Sequence, residues 1–189
     1  RENNRAKFDL PTVFSILIYT DPETGFPLAI VDGSYHTMMR TGASAAASLR
    51  WIARKNSKVL ALVGAGDVSI GALRTCATVF DWDEVRVWSR GRETLDNFMA
   101  SEESRHPNLT IKPSTNIEDV VPGADVVVTM TTGGNIVVRD EYILECMHIA
   151  ALGSDLAGNQ ELESAIVKRA RIFVDDIRQC RSDGEINMP

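Results

Sequence analysis

The chain has 189 residues, 44% of them hydrophobic, and a formal net charge of −6, enough apolar material for one domain, or one domain with a small extension. The acidic balance, with no Lys/Arg run, argues against a nucleic-acid surface, where clustered positive charge carries the affinity. Apolar stretches of only strand length, and no signal-like core after Arg1-Glu2-Asn3-Asn4-Arg5, lead us to expect a cytoplasmic protein with no membrane partner. In chain order, residues 13–20 alternate and are β-rich, Asp21-Pro22-Glu23-Thr24-Gly25 supplies turn chemistry, and residues 26–31 resume as a strand, predicting a hairpin. Asp32-Gly33 reads as a further turn. The alanine-rich run 41–53 predicts a close-packed helix, and a boundary falls near residues 55–58.

Next comes the apolar run Lys58-Val59-Leu60-Ala61-Leu62-Val63, which breaks directly into Gly64-Ala65-Gly66. A strand that ends in glycines and passes into a helix makes a seat for pyrophosphate. Residues without Cβ let the backbone approach the ligand, and the free N–H groups of the helix start face the phosphates. Asp67 and Val68 open that helix. The third position of the glycine fingerprint is Ser69, which departs from Gly or Ala but is still small.

Apolar spacing in Ile70-Gly71-Ala72-Leu73 and Cys76-Ala77 continues the helix, and Glu84-Val85-Arg86-Val87-Trp88 reads as a second strand. It ends in Ser89-Arg90-Gly91-Arg92. An NAD enzyme usually places Asp or Glu here for the ribose 2′-OH. A hydroxyl followed by two guanidiniums suits a phosphomonoester instead, so NADP(H) is expected over NAD(H), which remains possible. The other reading of Arg90 and Arg92 is two solvated residues at a helix start.

Residues 95–100 and 116–120 then read as helical, 109–111 as extended, 124–129 and 147–152 as strands, 160–169 as a helix and 172–174 as a last strand. This β-α-β repetition predicts an α/β fold with a parallel sheet of about six strands and helices on both faces. Thr129, Thr131 and Thr132, with Gly133 and Gly134, follow a buried strand and suit either the nicotinamide or ribose side of a crevice or ordinary loop chemistry. Asp155 follows another strand, where open α/β sheets keep their ligands. An N-cap or Asx-turn aspartate is the alternative. Asp175-Asp176 suit a strand end and the cap of the last helix. His36, His106 and His148 have no mutual ligand spacing, and no metal site is expected. Cys76, Cys146 and Cys180 lack CxxC spacing and read as small buried or half-buried thiols.

Four motifs in order carry a resemblance over nearly the whole chain. They are Pro27-Leu28-Ala29-Ile30-Val31-Asp32-Gly33 with Arg40-Thr41-Gly42-Ala43, the glycine loop, Gly153-Ser154-Asp155-Leu156-Ala157-Gly158-Asn159-Gln160-Glu161-Leu162, and Val174-Asp175-Asp176 through Gly184-Glu185. Together they resemble the ornithine cyclodeaminase/μ-crystallin family. The resemblance implies a Rossmann-type doubly wound NAD(P)-binding domain over 55–189 and a partial β-rich substrate and dimerisation region over 1–54. It also implies a homodimer and hydride transfer to or from an α-amino or imino acid, as in cyclodeaminases, alanine dehydrogenases and ketimine reductases.

By that resemblance Arg40 grips the substrate α-carboxylate, and Asp155 handles the proton on its nitrogen or holds a cationic imine. The family's catalytic lysine is expected upstream of the region aligned to Arg1, with Lys7 too near Leu10-Pro11-Thr12 to replace it. Asn159 and Val68 stand where many relatives have lysine and glutamine. The alternative expectation is an NADP(H)-binding module without catalysis, or a ligand binder of the μ-crystallin kind.

Overall fold

A computed structural model describes residues 4–8, 10, 14–132 and 134–188. Arg1, Pro11, Thr12, Val13 and Gly133 lie outside the described residues. A short helix, α1 (Asn4–Phe8), precedes an antiparallel hairpin of β1 (Ile16–Thr20) and β2 (Pro27–Asp32). Asp21 builds its turn by accepting from the Glu23 and Thr24 N–H groups and the Thr24 hydroxyl. The helix expected from Thr41 begins at Gly33 instead. No turn intervenes, because the Asp32 carboxylate accepts from the Ser34 N–H at 2.8 Å and caps α2 (Gly33–Ile52) directly at the end of β2.

Alternation then takes over, with β3 (Val59–Val63), α3 (Asp67–Cys76), β4 (Glu84–Trp88), α4 (Arg92–Glu102), β5 (Thr110–Ser114), β6 (Val126–Thr129) and β7 (His148–Ala151). These five strands form one parallel sheet in the order β5-β4-β3-β6-β7. Leu60 and Leu62 face a core completed by Ala45 and Leu49 of α2, Leu73 of α3 and Phe98 of α4. Ala61 and Val63 face a second core with Val121, Val138 and Tyr142, and with Ile166 of α5 (Ser164–Arg169). The sheet is thus covered on both faces, which is why its strands are continuous apolar runs. Pro113 is tolerated because β5 is an edge strand.

Three expectations about elements are corrected. Ile172-Phe173-Val174 is exposed and joins no strand, so the sheet has five strands rather than about six. The run is closed in by Arg171, whose guanidinium lies 5.1 Å from the Phe173 ring, and by Asp176, which caps α6 (Ile177–Asp183). Of the helix expected over 160–169 only α5 forms. The backbone before it is bonded elsewhere, with Val137 and Val138 donating to Glu161 O and Glu163 donating to Val138 O. Cys146 is exposed, not buried or half-buried, whereas burial pushes the Cys76 thiol up to about 12.

Helices α2 and α3 cross at two glycines. A Cβ on Gly42 would lie 2.3 Å from the Gly71 carbonyl carbon, and one on Gly71 would lie 2.3 Å from Met38 O, so backbone meets backbone. At the amino edge of the sheet the Asp125 carboxylate accepts from Arg54 Nη2 (2.6 Å) and from the N–H groups of Lys58 (2.7 Å) and Val59 (3.0 Å). That edge is closed by hydrogen bonds. Among the described residues no helix is long and apolar enough to cross a membrane.

Candidate dinucleotide and substrate site

All five strands of the sheet run the same way, so the loops leaving β3, β4, β6 and β7 meet at its carboxyl edge, where open α/β folds place ligands. β3 is central. Gly64 takes φ +125°, and its N–H donates to Trp88 O at 2.9 Å. A Cβ there would lie 2.9 Å from Met130 O, so the chain turns in the narrow space between the ends of β4 and β6. Ala65 is buried. Gly66 then N-caps α3 without a side-chain hydrogen bond, and a Cβ on it would meet nothing within 4 Å. The helix start is therefore uncovered. Asp67 is exposed and Val68 half-buried in its first turn.

On one side of this loop, β4 ends in Trp88, whose Nε1 donates to Thr115 O at 3.1 Å, and in half-buried Ser89. Arg90 is exposed and lines a cavity of about 330 Å³ with Trp88, Ile117, Glu118, Tyr142 and, from the loop after β6, Thr131 and Ile136. The Tyr142 hydroxyl donates to Glu118 Oε1 at 3.3 Å, and with Glu118 alongside, burial holds that phenol above its usual range. Arg92 points elsewhere in chemical terms, since its Nε binds Asp96 at 3.1 Å along α4.

On the other side, Thr129 is fully buried and its hydroxyl has no protein partner; the same is true of the buried hydroxyls of Ser69 and Thr131. Buried hydroxyls ordinarily find partners; Ser69 and Thr129 are wholly enclosed, and of the three only half-buried Thr131 borders the cavity beside Trp88. Thr132 is exposed. Gly134 (φ +59°) abuts the Asn159 side chain. Asp155, in the loop after β7, is exposed and makes no hydrogen bond among the described residues, so it caps nothing. Arg40, exposed on α2, likewise makes no side-chain hydrogen bond or ion pair among the described residues.

The parallel sheet thus brings the glycine loop, Ser89, Arg90, Thr129, Thr131 and Asp155 to one edge; Arg40 lies on α2, which packs against α3, and Arg92 opens α4, paired with Asp96. Sequence reasoning missed the cavity wall of Glu118, Ile136 and Tyr142. It also gave Glu161 no role, although an acidic residue beside Leu162 in an otherwise loop-like segment was a usable signal.

The model of the ornithine cyclodeaminase/mu-crystallin family matches residues 1–189. The chain belongs to this family. As a family member it is 38% identical over 179 residues to an alanine dehydrogenase of Archaeoglobus fulgidus, covering 95% of this chain and 54% of that protein. It is 34% identical over 182 residues to an iminosuccinate reductase of Paracoccus denitrificans, covering 96% and 56%. Among solved structures, an archaeal alanine dehydrogenase dimer with bound NAD superimposes with a TM-score of 0.88 at 38% identity, covering 98% of this chain and 56% of that one. The Δ1-pyrroline-2-carboxylate reductase of Thermococcus litoralis, in complex with NADH and L-proline, gives 0.91 at 27% identity, covering 98% and 58%. The chain spans a little over half the length of the family members it matches.

Proposed function

We propose that the chain is the dinucleotide-binding part of an NAD(P)-dependent oxidoreductase or cyclodeaminase that acts on an α-amino or imino acid by hydride transfer. Residues 55–189 would hold the nucleotide, and residues 1–54 would serve the substrate and a homodimer contact. One observation carries this reading. Gly66 stands uncovered at the start of α3, at the centre of the carboxyl edge, where a pyrophosphate gains the free N–H groups and the positive helix end. The NAD and NADH held by two of the related structures support it.

In this reading the N–H groups of Asp67 and Val68 hold phosphate oxygens, and the cavity beside Trp88 and Arg90 takes the adenosine end. The unpartnered hydroxyls of Thr129 and Thr131, with Thr132, serve the nicotinamide ribose. When bound, the nicotinamide gives or takes a hydride at the substrate carbon that bears nitrogen. Arg40 holds the substrate carboxylate, and Asp155 moves or balances the proton on that nitrogen. Ser89 and Arg90 favour NADP(H), and Arg92 joins them only by leaving Asp96.

Titration of the protein with NADPH and NADH tests the reading. NADPH should bind more tightly, and Arg90→Ala should reduce its advantage by about tenfold, the worth of one charge-assisted phosphate contact. A preference for NADH would overturn the role of Ser89 and Arg90, and failure to bind either nucleotide would overturn the whole reading. Turnover with cyclic imino acids, pyruvate plus ammonia, and ornithine follows. Net NAD(P)H consumption indicates a reductase, its absence with product formation a cyclodeaminase, and binding without turnover a non-catalytic nucleotide-binding module.

A further inference from the structure

Glu161 is 1% exposed, yet it forms no ion pair among the described residues. Its Oε1 accepts from the Thr131 N–H at 2.6 Å, just beyond β6, and its Oε2 accepts from the Gly153 N–H at 3.1 Å, just beyond β7. One carboxylate therefore joins the two loops that carry Thr131 and Asp155. A Cβ on Gly153 would lie 2.4 Å from Glu161 Oε2, so the closeness depends on glycine at that position. The backbone of Glu161 is gripped in turn. Its N–H donates to Glu185 Oε1 and Oε2 at 2.9 and 3.2 Å, and the Leu162 N–H donates to Glu185 Oε1 at 2.6 Å. Asn187 completes the grip, accepting from the Gly158 N–H and donating to Asn159 O.

We propose that Glu161 is a positioning residue, whose carboxylate, seated by Glu185, holds the β6 and β7 loops in the arrangement that presents Thr131 and Asp155 to the nicotinamide end of the dinucleotide. The inference rests on the nucleotide reading above. A buried carboxylate without a cation is a costly way to join two strands that already share a ladder. What it supplies is a pair of acceptor oxygens that satisfies two converging N–H groups at once, at 2.6 and 3.1 Å. A neutral amide has one oxygen and sets an NH2 group against the second donor. The larger effect falls on the nicotinamide half, because the loop after β7 that carries Asp155 lines no part of the cavity beside Trp88, whereas Thr131 borders that cavity as well.

The test compares NADH with ADP-ribose, the same molecule without nicotinamide, by equilibrium titration of full-length wild type and Glu161→Gln. The variant should bind NADH about tenfold more weakly, as expected for one lost buried hydrogen bond, while ADP-ribose affinity falls by no more than about threefold, through Thr131 alone. Equal weakening of both ligands would mark a merely structural role and overturn the proposal, as would no change in either. If wild type binds neither ligand nor NADPH, the nucleotide reading itself falls and takes this inference with it; if it binds NADPH alone, the same comparison is made between NADPH and 2′-phospho-ADP-ribose. Gly153→Ala, which drives a methyl against Oε2, should give the same split. Where Glu161→Gln does not fold, Gly153→Ala and Glu185→Gln decide by the same criteria.

Discussion

At the scale of single residues, Gly64 and Gly66 have opposite reasons to be glycine. Gly64 is required by its own backbone, with φ +125° and Met130 O in the way of a Cβ. Gly64→Ala should therefore destabilise the fold by about 1–3 kcal/mol, measured by chemical denaturation. Gly66 has an ordinary φ of −84° and open space around it. Gly66→Ala should leave the melting temperature nearly unchanged and weaken dinucleotide binding by about tenfold or more, since the methyl occupies the space of the phosphate. Glu185 offers a second residue-level expectation. Burial raises its carboxyl from 4.5 to about 7, with the neighbouring Glu161 adding repulsion, against the pull of the Leu162 and Glu161 N–H groups. The folded state thus holds this proton more tightly than the unfolded chain. The resulting stability is complete below about pH 4.5 and is lost as pH rises through about 7. Between those limits wild type should lose about 1–2 kcal/mol more than Glu185→Gln, after allowance for the partial exposure of the group. Denaturation at both pH values measures the difference. The glycine loop was legible because its chemistry is local. Glu161 was not, because its partner Thr131 is 30 residues away and a carboxylate in a loop carries no mark of burial.

At the scale of elements, the α2–α3 crossing decides between two competing effects. Gly→Ala in a helix ordinarily gains about 1 kcal/mol of helix propensity. At Gly71 the added methyl meets Met38 O at 2.3 Å, and a backbone atom within a packed helix has nowhere to go. Overpacking wins, and Gly71→Ala should destabilise by about 1–3 kcal/mol. Gly91→Ala, whose methyl would meet only the Thr94 hydroxyl at 3.6 Å, is the control and should be near neutral in the same thermal melt. The strands β3, β4 and β6 were readable because a strand buried on both faces is a bare apolar run. The start of α2 was misread because Asp32-Gly33 is turn-like by composition, and only the geometry of Ser34 makes Asp32 a cap. Residues 160–163 carry helical spacing, but a bridge between Val138 and Leu162 claims their backbone. Nonlocal pairing of that kind leaves no periodic trace.

For the whole molecule, the hairpin is the part whose surface is least protected. Ile16 is 74% and Ile30 70% exposed, and Ile18, Tyr19, Phe26 and Leu28 are exposed as well. Contiguous apolar strands of this kind ask for a cover, and a second copy of the chain is the cover we expect. Sedimentation should show a dimer, and Ile16→Lys with Ile30→Lys should shift it to monomer. A monomer at high wild-type concentration would count against the assignment. The two-sided sheet was legible from alternation of strand and helix, whereas the cavity beside Trp88 was not, since its walls come from residues 88 to 142 and close only in three dimensions. The glycine crossing has one more consequence. Where backbone meets backbone at Gly42 and Gly71, α2 and α3 are joined closely, one carrying Arg40 and the other the uncovered start at Gly66. On the proposed function, Gly71→Ala, which forces the two helices apart, should therefore weaken nucleotide and carboxylate binding together, read by titrating each ligand in turn.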